Sequence, residues 1–225
     1  MNSTTGRRER ERQKRIRRRR FRRRLILCLP PALLVAALCF FLFRSSDSGH
    51  LPIPAADLGL PDWITVNLLP VNDWSRPGEK LDSVSGVVIH YVGNPGTTAA
   101  QNRNYFETLA TTHETKASSN FLIGLDGEII LNVPVDEVAY CSNNRNHDTL
   151  SIECCHPDET GEFTPETYQS LVRLTAFLRG TYDLSREDIL RHFDVTEKRC
   201  PLYFVEHPDA WETFLDDVEA FQEAS

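Results

Sequence analysis

The chain has 225 residues and a formal net charge of −7, with 40% hydrophobic residues. The charge is split: residues 1–24 carry 13 Lys/Arg and two acids, whereas residues 45–225 carry 11 Lys/Arg and 30 Asp/Glu. One globule cannot accommodate both halves, which excludes a single soluble domain for the whole chain.

Residues 25–43, LILCLPPALLVAALCFFLF, are 19 residues without a charge. At about 1.5 Å per residue a helix of that length spans roughly 28 Å, close to the hydrocarbon thickness of a bilayer. Pro30 and Pro31 fall in its second turn, where they would kink it. A cleaved signal peptide would end in small residues, but bulky Phe43 runs directly into RSSDSG. Leu38 before Cys39 likewise argues against a lipoprotein site. A core helix directly preceded by 13 cations is disfavoured. The expectation is an uncleaved single-pass anchor over 25–43. Lys and Arg stay on the cytoplasmic side, so residues 1–24 are expected inside the cell and the remainder outside. The tail's arginine density would suit nucleic acid. Topogenic charge with attraction to anionic lipid is the simpler account, and nucleic acid is not an expected partner.

Residues 44–62 are rich in Ser, Pro and Gly and read as a linker, with a folded domain over 63–225. SGVVIHYVG (85–93) is a β-branched run ending at glycine, hence a buried strand. TTAAQNRNYFETLA (97–110) has helical spacing behind a Thr cap, with Tyr105 and Leu109 on one face. NFLIGLDGEIILNV (120–133) is a hairpin around Asp126-Gly127. TLSIECC (149–155) is a strand. TPETYQSLVRLTAFLRGTY (164–182) is a helix capped by Thr164, with Pro165 first and Tyr168, Leu171, Leu174 and Leu178 inward. HPDAWETFLDDVEAFQ closes the chain as an amphipathic helix. Together these predict an α/β domain with a mixed central sheet flanked by helices. Cys28 and Cys39 fall in the apolar span. Cys141, Cys154, Cys155 and Cys200 would allow a two-disulfide framework, although a strand would turn the adjacent Cys154 and Cys155 to opposite faces.

His90 lies near the end of the first buried strand, where open α/β sheets place their sites. His192 and Cys200 follow the second long helix. Two imidazoles and a thiolate make a zinc set with a fourth position left open. A structural histidine and a stray thiol explain each residue alone equally well. His113, His147, His156 and His207 offer no spacing that compels a fourth ligand. An open zinc needs a base and a cation for developing negative charge. Glu153, set inside an apolar strand, is the candidate base, unless alternation simply turns it to solvent. Lys198, two residues before Cys200, is the candidate cation, although spacing alone favours an ordinary surface lysine.

Four segments in register, GVVIHYVGNPGTT, ASSNFLIGLDGEII, EVAYCSNNRNHDTLSIE and RHFDVTEKRCP, carry a resemblance to the type 2, zinc-dependent N-acetylmuramoyl-L-alanine amidases. It spans about residues 64–218. These share a fold with peptidoglycan recognition proteins and amidase-type phage lysozymes. The resemblance implies one zinc ion on His90, His192 and Cys200, with Glu153 and Lys198 catalytic. It implies cleavage of the amide between N-acetylmuramic acid and L-alanine in peptidoglycan. Asn94, Arg145 and Asn146 are candidate groove residues for the muropeptide. Some relatives have a tyrosine where this chain has Ser119, so a phenol contribution is absent or comes from elsewhere. Two other readings remain open: a wall-binding or wall-sensing protein without turnover, and a disulfide-stapled surface domain.

Overall fold

In this computed structural model the structure describes residues 49–224 apart from residue 55. The expected cytoplasmic tail and the 25–43 anchor lie outside the described residues. Among the described residues no helix is long and apolar enough to cross a membrane.

Six strands form one sheet: β1 (Ile64–Val66), β2 (Val87–Tyr91), β3 (Phe121–Ile123), β4 (Ile129–Leu131), β5 (Leu150–Cys154) and β6 (Ile189–Arg191). Their order is β1-β4-β3-β5-β2-β6. The β3–β4 hairpin is antiparallel and every other pairing is parallel. A parallel centre must be covered on both faces, and so it is. The helices are α1 (Ala99–Thr112), α2 (Pro165–Thr181), the short α3 (His192–Thr196) and α4 (Leu202–Glu206), and α5 (Pro208–Ala224). Val87, Ile89, Phe121, Leu150 and Ile152 pack with Leu171, Leu174 and Leu178 of α2 and Phe214 and Val218 of α5. On the opposite face Leu122 packs with Ala99, Phe106 and Leu109 of α1.

The local signals act as their chemistry requires. Thr98 accepts from the Gln101 N–H while Gln101 accepts from the Thr98 N–H, a reciprocal cap for α1. Thr164 Oγ1 accepts from the Thr167 N–H at 3.0 Å and donates to the Leu125 carbonyl at 2.7 Å, tying the start of α2 to the hairpin loop. Gly127 in that loop has φ +82°, a left-handed conformation that favours glycine.

Three expectations change. Tyr105 and Leu109 do not both turn inward: Leu109 is fully buried and Tyr105 is 43% exposed. The inward stripe of α1 runs through Ala99, Asn102, Arg103, Phe106 and Leu109, and Arg103 reaches the Asn67 and Leu68 carbonyls. The described part of the expected linker is not a free spacer. His50 pairs with Val84 through two main-chain hydrogen bonds, and Ile53, Leu58 and Leu60 pack on the core. The four cysteines of the domain are all free thiols, so the stapled framework does not form.

Candidate active site

The parallel register builds the site. His90 of β2 pairs with Glu153 of β5, and paired residues in parallel strands present their side chains to the same face. On the other flank Ile89 pairs with Arg191 of β6, so the next residues, His90 and His192, also fall side by side. Glu153 of β5, His90 of β2 and His192, the residue that follows β6, thus form a row at the C-terminal ends of three adjacent strands. That register is why Glu153 does not lie on a solvent face: it shares the α1 side of the sheet with Leu122, its β3 partner.

Cys200 completes the group through a short reversal. Helix α3 stops after five residues at Glu197, whose φ of +62° is left-handed. The Phe193 N–H then donates to the Cys200 carbonyl at 2.9 Å. This folds the six intervening residues back so that Cys200 Sγ lies 3.9 Å from His90 Nδ1. Arg191 pins the strand end by pairing with Asp194 at 2.7 Å and donating to the Phe204 carbonyl at 3.2 Å.

His90 Nδ1 and His192 Nδ1 are 3.1 Å apart, and the three donor atoms of His90, His192 and Cys200 lie within 4.8 Å of one another. His192 Nε2 is 2.8 Å from Asn143 Oδ1. An amide oxygen only accepts, so Nε2 carries the hydrogen and the neutral ring turns its Nδ1 lone pair toward the other two donors. His90 Nε2 is held by Ser142 Oγ at 3.3 Å. Burial, His192 and Lys198 push His90 well below the ordinary imidazole range. Burial and Lys198 lower His192 to about 4. Both rings are therefore neutral near pH 7, the form that binds a metal. Separations of 3.1 and 3.9 Å bracket the roughly 3.3–3.7 Å between donors of tetrahedral zinc. Two nitrogens and a sulfur are a donor set that suits zinc. The residues fit the ion. Without it, burial and Glu153 push the Cys200 thiol up to about 12, against the Tyr91 main-chain N–H and Lys198. Binding of a metal ion there would release a proton from this thiol.

The cluster lies in a groove of about 620 Å³ lined also by Glu153, Lys198, Asn146, Tyr91 and Tyr140. A larger hollow of about 800 Å³ between α2 and α5, lined by Glu166, Tyr168, Arg173 and Asp217, contains none of these donors. Chemistry, not size, identifies the site. Burial raises Glu153 to about 8, while the Cys141 thiol and the Lys198 ammonium oppose that rise. Glu153 Oε2 is buried without a protein hydrogen-bond partner. Lys198 is exposed at the mouth, and its charge reaches His90, His192, Glu153 and Cys200.

The structure thus brings together His90, His192, Cys200, Glu153 and Lys198. The three candidate groove residues fare differently. Asn146 lines the groove, but its Oδ1 accepts from the main-chain N–H groups of Cys141 and Ser142 at 3.1 and 2.6 Å. Arg145 is outside the lining: it pairs with Asp148 at 2.7 Å and donates to Ser85 Oγ. Asn94 is exposed beyond Gly93, and its carbonyl accepts from Thr97 Oγ1 at 2.7 Å in the turn before α1. The side chains of Arg145 and Asn146 are engaged by the loops that carry them, whereas only the main chain of Asn94 is, which spacing could not show. Ser119 is fully buried, whereas Tyr91 and Tyr140 bring phenols to the groove from other elements. Ser142 and Asn143, the partners of the two histidines, were not singled out from sequence. Their only signal was the polar run CSNNRN just before β5.

A sequence model of the family described as N-acetylmuramoyl-L-alanine amidase matches residues 80–202. That span contains all five clustered residues. N-acetylmuramoyl-L-alanine amidase CwlL of Bacillus licheniformis is 33% identical over 169 residues, which cover 70% of this chain and 47% of that protein. N-acetylmuramoyl-L-alanine amidase BlyA of Bacillus subtilis strain 168 is 29% identical, covering 69% and 47%. The chain therefore spans about half the length of these curated relatives. Among solved structures, the catalytic domain of XlyA superposes with a TM-score of 0.59 at 21% identity, covering 69% of this chain and 98% of that one. The PlyG catalytic domain gives 0.60 at 17%, covering 71% and 94%. The fold agrees with these structures, and the sequence match runs through every strand and loop that builds the cluster: the chain belongs to the type 2 N-acetylmuramoyl-L-alanine amidase family.

Proposed function

We propose that this chain is a zinc hydrolase that cleaves the amide between the lactyl group of N-acetylmuramic acid and L-alanine in peptidoglycan. The observation that carries this reading is the row Glu153–His90–His192 with Cys200 folded back onto it, all opening into one groove. His90, His192 and Cys200 would hold the ion. When bound, zinc supplies Lewis acidity toward a carbonyl oxygen and lowers the pKa of water. Glu153 takes the proton of the attacking water and returns it to the leaving amine of L-alanine. Lys198 at the mouth stabilises the oxyanion as it develops. The groove walls keep bulk water from Glu153, so its basicity stays high.

Substrate and placement agree in this reading. Residues 25–43 anchor the chain in the cell membrane, and the basic tail stays in the cytoplasm against anionic lipid. The domain then lies on the outer side, where the wall is.

The test is release of free L-alanine amino termini from purified peptidoglycan by the full-length chain, with zinc content measured alongside. Wild type should carry one zinc and release L-alanine termini. Glu153→Gln should keep the zinc and lower kcat by about 100-fold or more. A zinc-loaded wild type that binds several wall chemotypes but releases nothing would leave the non-catalytic wall-binding reading in place.

A further inference from the structure

Cys141 lines the groove beside Glu153 and has no part in the proposed reaction. Cys141 has its Sγ 3.6 Å from Glu153 Oε1, within the reach of a sulfur hydrogen bond. In the ionised form that acts as a base, the carboxylate only accepts, so the thiol is then the donor. Cys141 also shares with Glu153 and His90 a second cluster of ligand-type atoms within 4.8 Å.

The thiol's position is set by the backbone. Asn146 Oδ1 accepts from the N–H groups of Cys141 and Ser142, which fixes the loop whatever side chain position 141 carries. Three consecutive residues then meet the catalytic row one for one. Cys141 reaches Glu153, Ser142 reaches His90 and Asn143 reaches His192. The loop is a strip laid along the row, and each of its side chains holds one member. Two of those contacts orient imidazoles. The third orients the carboxylate.

We propose that Cys141 is a positioning residue: its S–H donates to Glu153 Oε1 and fixes the orientation of the carboxylate that accepts the proton of the attacking water. Glu153 Oε2 is buried and has no protein partner of its own, so without the thiol no side-chain hydrogen bond would hold the carboxylate in one orientation. A thiol is a weak donor. It fixes the group while removing less basicity than a cationic donor would. This inference rests on the amidase reading, because it assigns Glu153 the proton transfer.

The experiment uses the full-length, zinc-loaded chain and measures L-alanine release, zinc stoichiometry and thermal unfolding. The variants are Cys141→Ala, Cys141→Ser, Cys141→Val, Glu153→Gln and the double variant Cys141→Ala/Glu153→Gln. A residue that acts only on the proton transfer lowers kcat and kcat/KM together. Cys141→Ala should lower kcat by about tenfold, with KM within about twofold and zinc unchanged. Cys141→Ser, which keeps a donor, should recover most of the loss. In the Glu153→Gln background, Cys141→Ala should add nothing, since the group it orients no longer takes a proton. Cys141→Val provides the same donor-free comparison should the alanine variant unfold.

Unchanged kcat in the donor-free variants would overturn the inference while leaving the amidase reading intact. So would loss of zinc, which would make Cys141 a ligand, or an additive loss in the double variant. An equal loss in Cys141→Ser would do the same. An inactive wild type would instead remove the amidase reading and this inference with it.

Discussion

Asn143 decides which nitrogen of His192 faces the other donors, because its amide oxygen takes the Nε2 hydrogen. Partners of this kind are worth about 10–100-fold in metal affinity. Asn143→Ala should therefore weaken zinc binding by about that factor, measured by competition with a chelating dye. Glu153 makes a pH prediction for the metal-stripped protein. Burial holds its folded pKa at about 8, above the ordinary 4.5. The folded chain keeps a proton that the unfolded chain releases. This contribution is complete below about pH 4.5 and is lost as pH rises to about 8. Glu153→Gln carries no such proton, so its stability relative to wild type should increase across that window, by at most about 1.4 kcal/mol per pH unit. Urea unfolding in chelator at several pH values measures this, and a difference independent of pH would refute it. The residues themselves were readable in the sequence because His, Cys and Glu in apolar or motif settings are chemically conspicuous. Asn143, Ser142 and Cys141 were not, since a polar loop residue looks the same whether it orients a ligand or meets solvent.

At the scale of elements, long periodic or strongly punctuated segments were legible. Asp126-Gly127 marked the hairpin, and Thr164-Pro165 marked the start of α2. Gly127 shows why that turn needs its residue. A Cβ there would lie 2.8 Å from the Glu166 carbonyl oxygen and 2.9 Å from Ser170 Oγ, besides the left-handed φ. Gly127→Ala should cost on the order of 1–3 kcal/mol, seen as a lower denaturation midpoint, with zinc stoichiometry unchanged because the loop is remote from the groove. The short elements escaped notice. Strand β6 has three residues and α3 has five, too few for any period to show. Yet these two carry His192 into line with His90. The isolated spacing of His192 and Cys200 gave no hint that a left-handed Glu197 would reverse the chain between them.

The whole molecule was legible as two opposite charge regimes around an apolar stretch, and as a mixed α/β domain. Sheet order was not, because strand pairing is set by packing among distant segments and not by local pattern. The proposed topology depends on the 13 Lys/Arg of residues 1–24. Replacing them with Gln should place a measurable fraction of chains in the opposite orientation. Protease added outside wall-stripped cells would digest the domain of wild type and spare that fraction in the variant. Uniform digestion of both would show that the tail does not set orientation.

The row across β5, β2 and β6 also governs which changes of chain length the protein can tolerate. Loops between the strands can lengthen without moving Glu153, His90 or His192 relative to one another. A single residue inserted within β5 ahead of Glu153 is different, because side chains alternate faces along a strand. If the upstream pairing held, Ile152 would take the place opposite His90 and the carboxylate would turn into the α2–α5 core. The reactive geometry is thus fixed by a count of residues along each strand, and an insertion of one residue erases it.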